Sequence, residues 1–286
     1  MMSNLLFIFL SVVPFGYDLS AQVIDHHLSV SAGATYGLYD GSTQRDKIVS
    51  ESVSIAYIPL PTAGLNLALH QSSLTGISPF PNITGNTVNL SYYEFMTTGS
   101  GNYIGGKGAL HYITSDDANS DGTLIPHLSL VYKPASLLSA YEIGVARTVY
   151  QDTPAEQVSV MAATSLFNQW VWSQTRVTYI DLRNGVADKV HTLAIEERLS
   201  YYAIPQKLTV SLYALLGERI YAYDFDLGTA YNLPDMQKGS IGLSLNYNLK
   251  NEMSVYTDLT QERYFKLDIR DEYLVQHLTL GVSARF

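Results

Sequence analysis

The sequence predicts an all-β protein, a transmembrane antiparallel up-and-down β-barrel of about fourteen strands. Three observations carry this. Apolar and polar residues alternate with period two in segment after segment from His27 to Phe286, which puts one set on each face of a strand. Many of these segments reach about ten residues, the length of a tilted membrane strand, whereas soluble strands centre on about five or six. Short turns and longer loops alternate along the chain, the layout of an outer-membrane barrel.

Composition agrees. Of 286 residues, charged ones make up only 15% and aromatics 12%, with 22 tyrosines, which suits a surface that meets lipid at an interface. The longest apolar run, residues 5–16, is about half the roughly 20 residues of a spanning helix, so helical spans are excluded. With no cysteine there is no disulfide framework, haem attachment or thiolate metal site. A net charge of −9 argues against a general nucleic-acid binder, which needs basic patches against phosphates. The apolar stretch 5–14, followed by Ser20 and Ala21, reads as a secretory leader cut after Ala21. This gives residues 1–21 as signal peptide and 22–286 as barrel.

Taken in order, the first strand sets Leu28, Val30, Ala32, Ala34, Tyr36 and Leu38 against Ser29, Ser31, Gly33, Thr35 and Gly37. The second, 48–58, stops at the short turn 59–62, and 63–74 follows. Strands 86–96 and 102–114 flank the turn 97–101, and 123–132 and 138–150 flank 133–136. Strands 156–166 and 169–181 meet at 167–168, 190–201 and 206–221 around Ile204 and Pro205, and 237–248 and 252–265 around 250–251. The last strand is the clearest: Leu278, Leu280, Val282, Ala284 and Phe286 oppose His277, Thr279, Gly281, Ser283 and Arg285. The long connections or their flanks hold Asp40, Asp46, Asp116, Asp117, Asp121, Asp152, Asp181, Asp188, Asp224, Asp226, Asp235, Asp268 and Asp271, and are expected outside the cell.

The closing stretch His277-Leu-Thr-Leu-Gly-Val-Ser-Ala-Arg-Phe286 resembles the terminal strand of bacterial outer-membrane proteins. The resemblance implies delivery to the barrel-assembly machinery, with Phe286 as the assembly signal. The order of strands also resembles the YaiO-type outer-membrane barrel family over residues 122–199. Leu128-Ser-Leu-Val-Tyr-Lys-Pro-Ala-Ser-Leu-Leu-Ser-Ala-Tyr-Glu-Ile-Gly144 and Thr175-Arg-Val-Thr-Tyr-Ile-Asp181 carry that likeness. It implies a Gram-negative outer-membrane location and transfers no catalytic residue.

Strand parity turns Lys107, Glu142, Arg176, Glu196, Arg198, Asp258, Glu262 and Arg285 inward, with His70, His111, His127 and His277. These either line a polar passage or form a salt-bridge network that plugs it. Imidazole has an unperturbed pKa of about 6.5, so an open lumen lined by these histidines is expected to change ion preference between about pH 5 and 7.5. Arg147 and Glu197 fall on the lipid parity, where an Arg at the midplane costs about 2 to 4 kcal/mol, so either both sit near the rims or the register slips there.

No phosphate loop, zinc helix motif, nucleophile elbow or dinucleotide fingerprint occurs. His111 and His127 could meet serines on one rim as a hydrolase requires, but serine is also the ordinary small filler of a lumen wall. No enzyme activity, cofactor or metal is expected. The reading is a porin-like channel for ions or small solutes, in contact with outer-membrane lipids and lipopolysaccharide. The alternatives are a lipid- or polysaccharide-modifying enzyme, or an accessory barrel of surface-glycan export whose acidic loops bind divalent cations.

Overall fold

The computed structural model describes residues 27–286 except 61, 119, 151–153, 187–188, 227–228, 231–234, 250–251 and 268–269. The expected leader, 1–21, lies outside the described residues. Strands β1 (His27–Asp40), β2 (Arg45–Leu60), β3 (Ala63–Gly76), β4 (Ile83–Thr97), β5 (Tyr103–Ser115), β6 (Thr123–Lys133), β7 (Ser139–Val149) and β8 (Pro154–Leu166) form the first part of the chain. There follow β9 (Val171–Val186), β10 (Lys189–Ile204), β11 (Leu208–Arg219), the two-residue β12 (Tyr223–Asp224) and β13 (Thr229–Ala230), β14 (Asp235–Asn248), β15 (Met253–Lys266) and β16 (Asp271–Arg285).

All but β12 and β13 belong to one closed antiparallel barrel of fourteen strands, each beside its neighbour in sequence, with β11 beside β14 and β16 beside β1. Closure removes the edges of this sheet, as hydrocarbon demands of backbone N–H and C=O groups. At the seam, the Leu28 amide donates to the Phe286 carbonyl at 3.1 Å and the Phe286 amide to the Leu28 carbonyl at 2.8 Å.

The short connections lie at one end of the barrel, and the turns near 97–101, 133–136, 167–168 and 204–205 fall where the sequence reading sets them; residues 61 and 250–251 of the other two lie outside the described residues. Near that end the outward face carries Tyr57, Tyr92, Tyr132, Tyr141, Trp170 and Tyr201, and Tyr36 and Tyr112 stand near the other. Between these girdles the outward face is aliphatic, with Leu128, Leu130, Val160, Leu193, Ile241 and Leu280 all exposed. An aliphatic belt between aromatic rows is the lipid-facing pattern of such barrels. Inward, the short-turn half is lined by small polar residues, among them Ser29, Ser31, Ser54, Asn66, Ser129, Ser200 and Asn246.

Strand parity holds for the two outward charges, but only one of them is at a rim. Arg147 lies two residues from the end of β7. Glu197 instead sits in the middle of β10. It accepts hydrogen bonds from the Ser173 hydroxyl at 2.7 Å and from Thr175, both on β9. Two hydroxyl donors on the neighbouring strand replace water around the carboxylate, which is why it is tolerated away from the headgroups.

Candidate functional site

β11 does not run on to residue 221. Its ladder with β14 slips between Leu216 and Arg219, and Gly217 adopts φ +111°, a conformation that side-chain-bearing residues rarely reach. The chain then turns into the barrel. Ile220, Tyr221, Ala222, Tyr223, Asp224 and Phe225 are all buried, and β12 pairs only with β13.

This inner loop is held by five consecutive strands, β5 to β9. Ile220, Tyr221 and Ala222 pack against Tyr150, Ala155, Ile180 and Leu182 near the long-loop end. Deeper, Tyr223 and Phe225 pack against Ile113, Ile125 and Ala146. Gln157 on β8 grips the backbone of Tyr223 twice, accepting from its amide at 2.9 Å and donating to its carbonyl at 2.7 Å. The Thr148 hydroxyl donates to the Tyr221 carbonyl at 3.4 Å. Phe225 sits against Gly144, where a Cβ would stand 2.5 Å from a ring carbon, so the glycine leaves room for the ring.

The charges of the wall converge on the same loop. Arg176 is 2% exposed and donates from Nη2 to Asp226 at 2.7 Å. Its Nη1 donates to Ser159 at 3.1 Å and to Glu142 at 3.4 Å. Glu142 also receives Lys107 Nζ at 2.7 Å, and Asp226 also receives the Gln174 amide. Arg219 joins Glu196, at 3.1 Å, to Asp224, at 3.8 Å. Each arginine is thus held between a wall carboxylate and a loop carboxylate. Burial alone pushes the Asp226 carboxyl up. The Arg176 guanidinium, backed by Arg198 and Lys107, outweighs that and holds it below the ordinary carboxylate range.

A second cluster closes the opposite side of the long-loop end. Arg45 pairs with Asp235 and donates to the Tyr273 hydroxyl at 2.7 Å, and the Tyr264 and Tyr273 rings stack at 5.4 Å. Glu262 accepts from the Tyr264 hydroxyl at 2.8 Å and lies 3.5 Å from His277 Nε2.

The structure therefore brings Lys107, Glu142 and Arg176 into one network and Glu262 and His277 into another, and joins Glu196 to a partner that parity reading left out. Arg198 lies over the Tyr213 ring at 5.7 Å, Asp258 is half-buried on β15, and Arg285 is exposed at the short-turn rim. His111 packs edge-on to Tyr223 at 6.1 Å, and His127 packs against Phe225 at 4.5 Å and Tyr223 at 5.3 Å. These two histidines face inward and meet the aromatics of the loop.

The sequence reading left out Arg45, Arg219, Gln157 and Gln174, and placed Asp224, Asp226 and Asp235 outside. Asp224 and Asp235 are buried and Asp226 is bonded to the wall, because the inner wall offers them arginines that solvent would not match. A signal was present: Tyr221, Tyr223, Phe225 and Tyr231 crowd one connection, and an exposed loop gains nothing from four aromatics.

No protein-family model matches the chain, and no curated protein matches it. Solved structures do. A TodX mutant described as a monoaromatic hydrocarbon channel superposes with TM-score 0.57 at 9% identity, over 91% of this chain and 90% of that one. The toluene transporter TodX of Pseudomonas putida gives TM-score 0.54 at 9% identity, over 96% and 92%. A bacterial polysaccharide outer-membrane secretin gives 0.53 at 11% identity, over 91% and 98%. The chain has the fold of outer-membrane barrels.

Proposed function

We propose that the protein is a porin-like outer-membrane channel for small solutes, gated by the inner loop. One observation carries the reading. Among the described residues the loop shares no backbone ladder with the barrel, and the side chains of Gln157 and Thr148 bond its backbone, so it can leave the lumen with every barrel strand still paired. Fourteen strands lie between the eight of a filled barrel and the sixteen of an aqueous pore, so removing the loop opens a passage. The transport names of the neighbours with this fold support a conducting barrel.

In this reading residues 1–21 direct export and Phe286 engages the assembly machinery. The outward belt meets outer-membrane lipids, with lipopolysaccharide on the long-loop side. Affiliation with the YaiO-type barrels rests on the two stretches within 128–181 and adds no site residue.

Topology is tested by labelling intact cells with an impermeant maleimide. Asp117→Cys is expected to react, while Ser136→Cys, in a short turn, and Asp226→Cys, inside the lumen, are not. Reaction at Ser136 with protection at Asp117 would invert the barrel.

Gating is tested by recording conductance against pH. A carboxyl whose docked pKa is lowered adds stability above its released value, and that stability is lost as pH falls through the docked one. With Asp226 below the ordinary range, the loop is expected to stay latched from neutral down to about pH 4, the usual aspartate value, and to release only below it. A transition centred near pH 6.5 would instead assign the gate to a histidine.

A further inference from the structure

We propose that the wall site filled by Asp226 is a carboxylate-binding site, and that a small carboxylate-bearing solute opens the channel by displacing the loop from it. This rests on the channel reading above and names its substrate class.

The site is built from the wall, not from the loop. Arg176 and Gln174 stand on the same inward face of β9, 2% and 8% exposed, and both donate to the Asp226 carboxylate. Ser159 and Glu142 hold the other end of the guanidinium, so Nη2 is aimed at the lumen whatever the loop does. Lys107 matches the charge of Glu142 at 2.7 Å, which leaves the positive charge of Arg176 for one further anion. A guanidinium edge beside a primary amide presents donors in the fork that a planar carboxylate accepts, with one unit of charge to match.

Asp226 satisfies that site without being part of it. Its side chain is 20% exposed against 2% for Arg176, so the carboxylate is the accessible member of the pair. Tethering gives the loop carboxylate an effective concentration on the order of millimolar, so a free solute competes at millimolar levels. Displacement also removes the anchor that seats Phe225 against Gly144, coupling occupation to opening.

The test uses the full-length protein in planar bilayers at constant ionic strength, with glucuronate, glucose or inorganic phosphate added to the long-loop side. Millimolar glucuronate is expected to raise the open fraction of the wild type, while glucose and phosphate leave it unchanged. Asp226→Asn is expected to be open without solute and to show glucuronate blockades at concentrations lower by about tenfold or more, the internal competitor being gone. Gln174→Leu is expected to need more glucuronate than the wild type. A channel that responds alike to glucuronate and glucose, or equally to phosphate, overturns the carboxylate site and leaves the gated channel standing. No current from the wild type, Asp226→Asn or a loop-deleted protein overturns both.

Discussion

Deleting Phe286 is expected to cut the folded yield in the outer membrane severalfold. The residue closes the barrel at its short-turn end, where it exchanges two backbone hydrogen bonds with Leu28. Without it the last rung of the β1 and β16 seam is lost, and an unpaired N–H and C=O face hydrocarbon or its boundary, at a cost of several kcal/mol for each group that finds no partner. The side chain, 74% exposed, also removes an aromatic from the interfacial girdle. Heat-modifiable gel mobility measures the outcome directly. A truncated protein that reaches the membrane and folds at wild-type yield would show that the seam and the assembly signal lie elsewhere.

Arg176→Leu is expected to lower the unfolding free energy by about 3 to 5 kcal/mol, the usual cost of removing one member of a buried ion pair. Arg176 touches two carboxylates, and its loss affects them differently. Glu142 keeps Lys107, whereas the Asp226 carboxylate keeps the bond from the Gln174 amide. The loop is therefore expected to detach before the barrel melts. Urea unfolding in lipid vesicles should show an early transition in the variant that the wild type lacks, followed by loss of β-sheet signal. A single transition at the wild-type midpoint would mean that Arg176 does not anchor the loop.

Most of the barrel is legible in the alternation of the chain, because a strand with lipid on one side and a polar lumen on the other must repeat every two residues. β16 shows it plainly: Leu278, Leu280 and Val282 are exposed to the outside, while Thr279 is buried within. Parity likewise places Glu142, Arg176 and Glu262 inward. It fails for the segment after Arg219, where the aspartates and turn residues that mark surface loops also serve a loop that folds back into a charged lumen. Asp226 looks like any loop aspartate until the register of β9 places Arg176 and Gln174 opposite it. That juxtaposition depends on strands more than forty residues away, and alternation within one segment carries no record of it. Glu197 shows the same limit, since its tolerance depends on hydroxyls of the neighbouring strand.

The central claim is that the inner loop, and not the barrel wall, sets the conductance. Replacing residues 220–234 with a short Gly-Ser linker between Arg219 and the start of β14 tests it in a single-channel recording. The loop is held by side chains and by its own packing, so the shortened protein is expected to keep its heat-modifiable mobility while its unitary conductance rises severalfold. A folded, loop-deleted barrel with the same unitary conductance as the wild type, or with none, would contradict the claim.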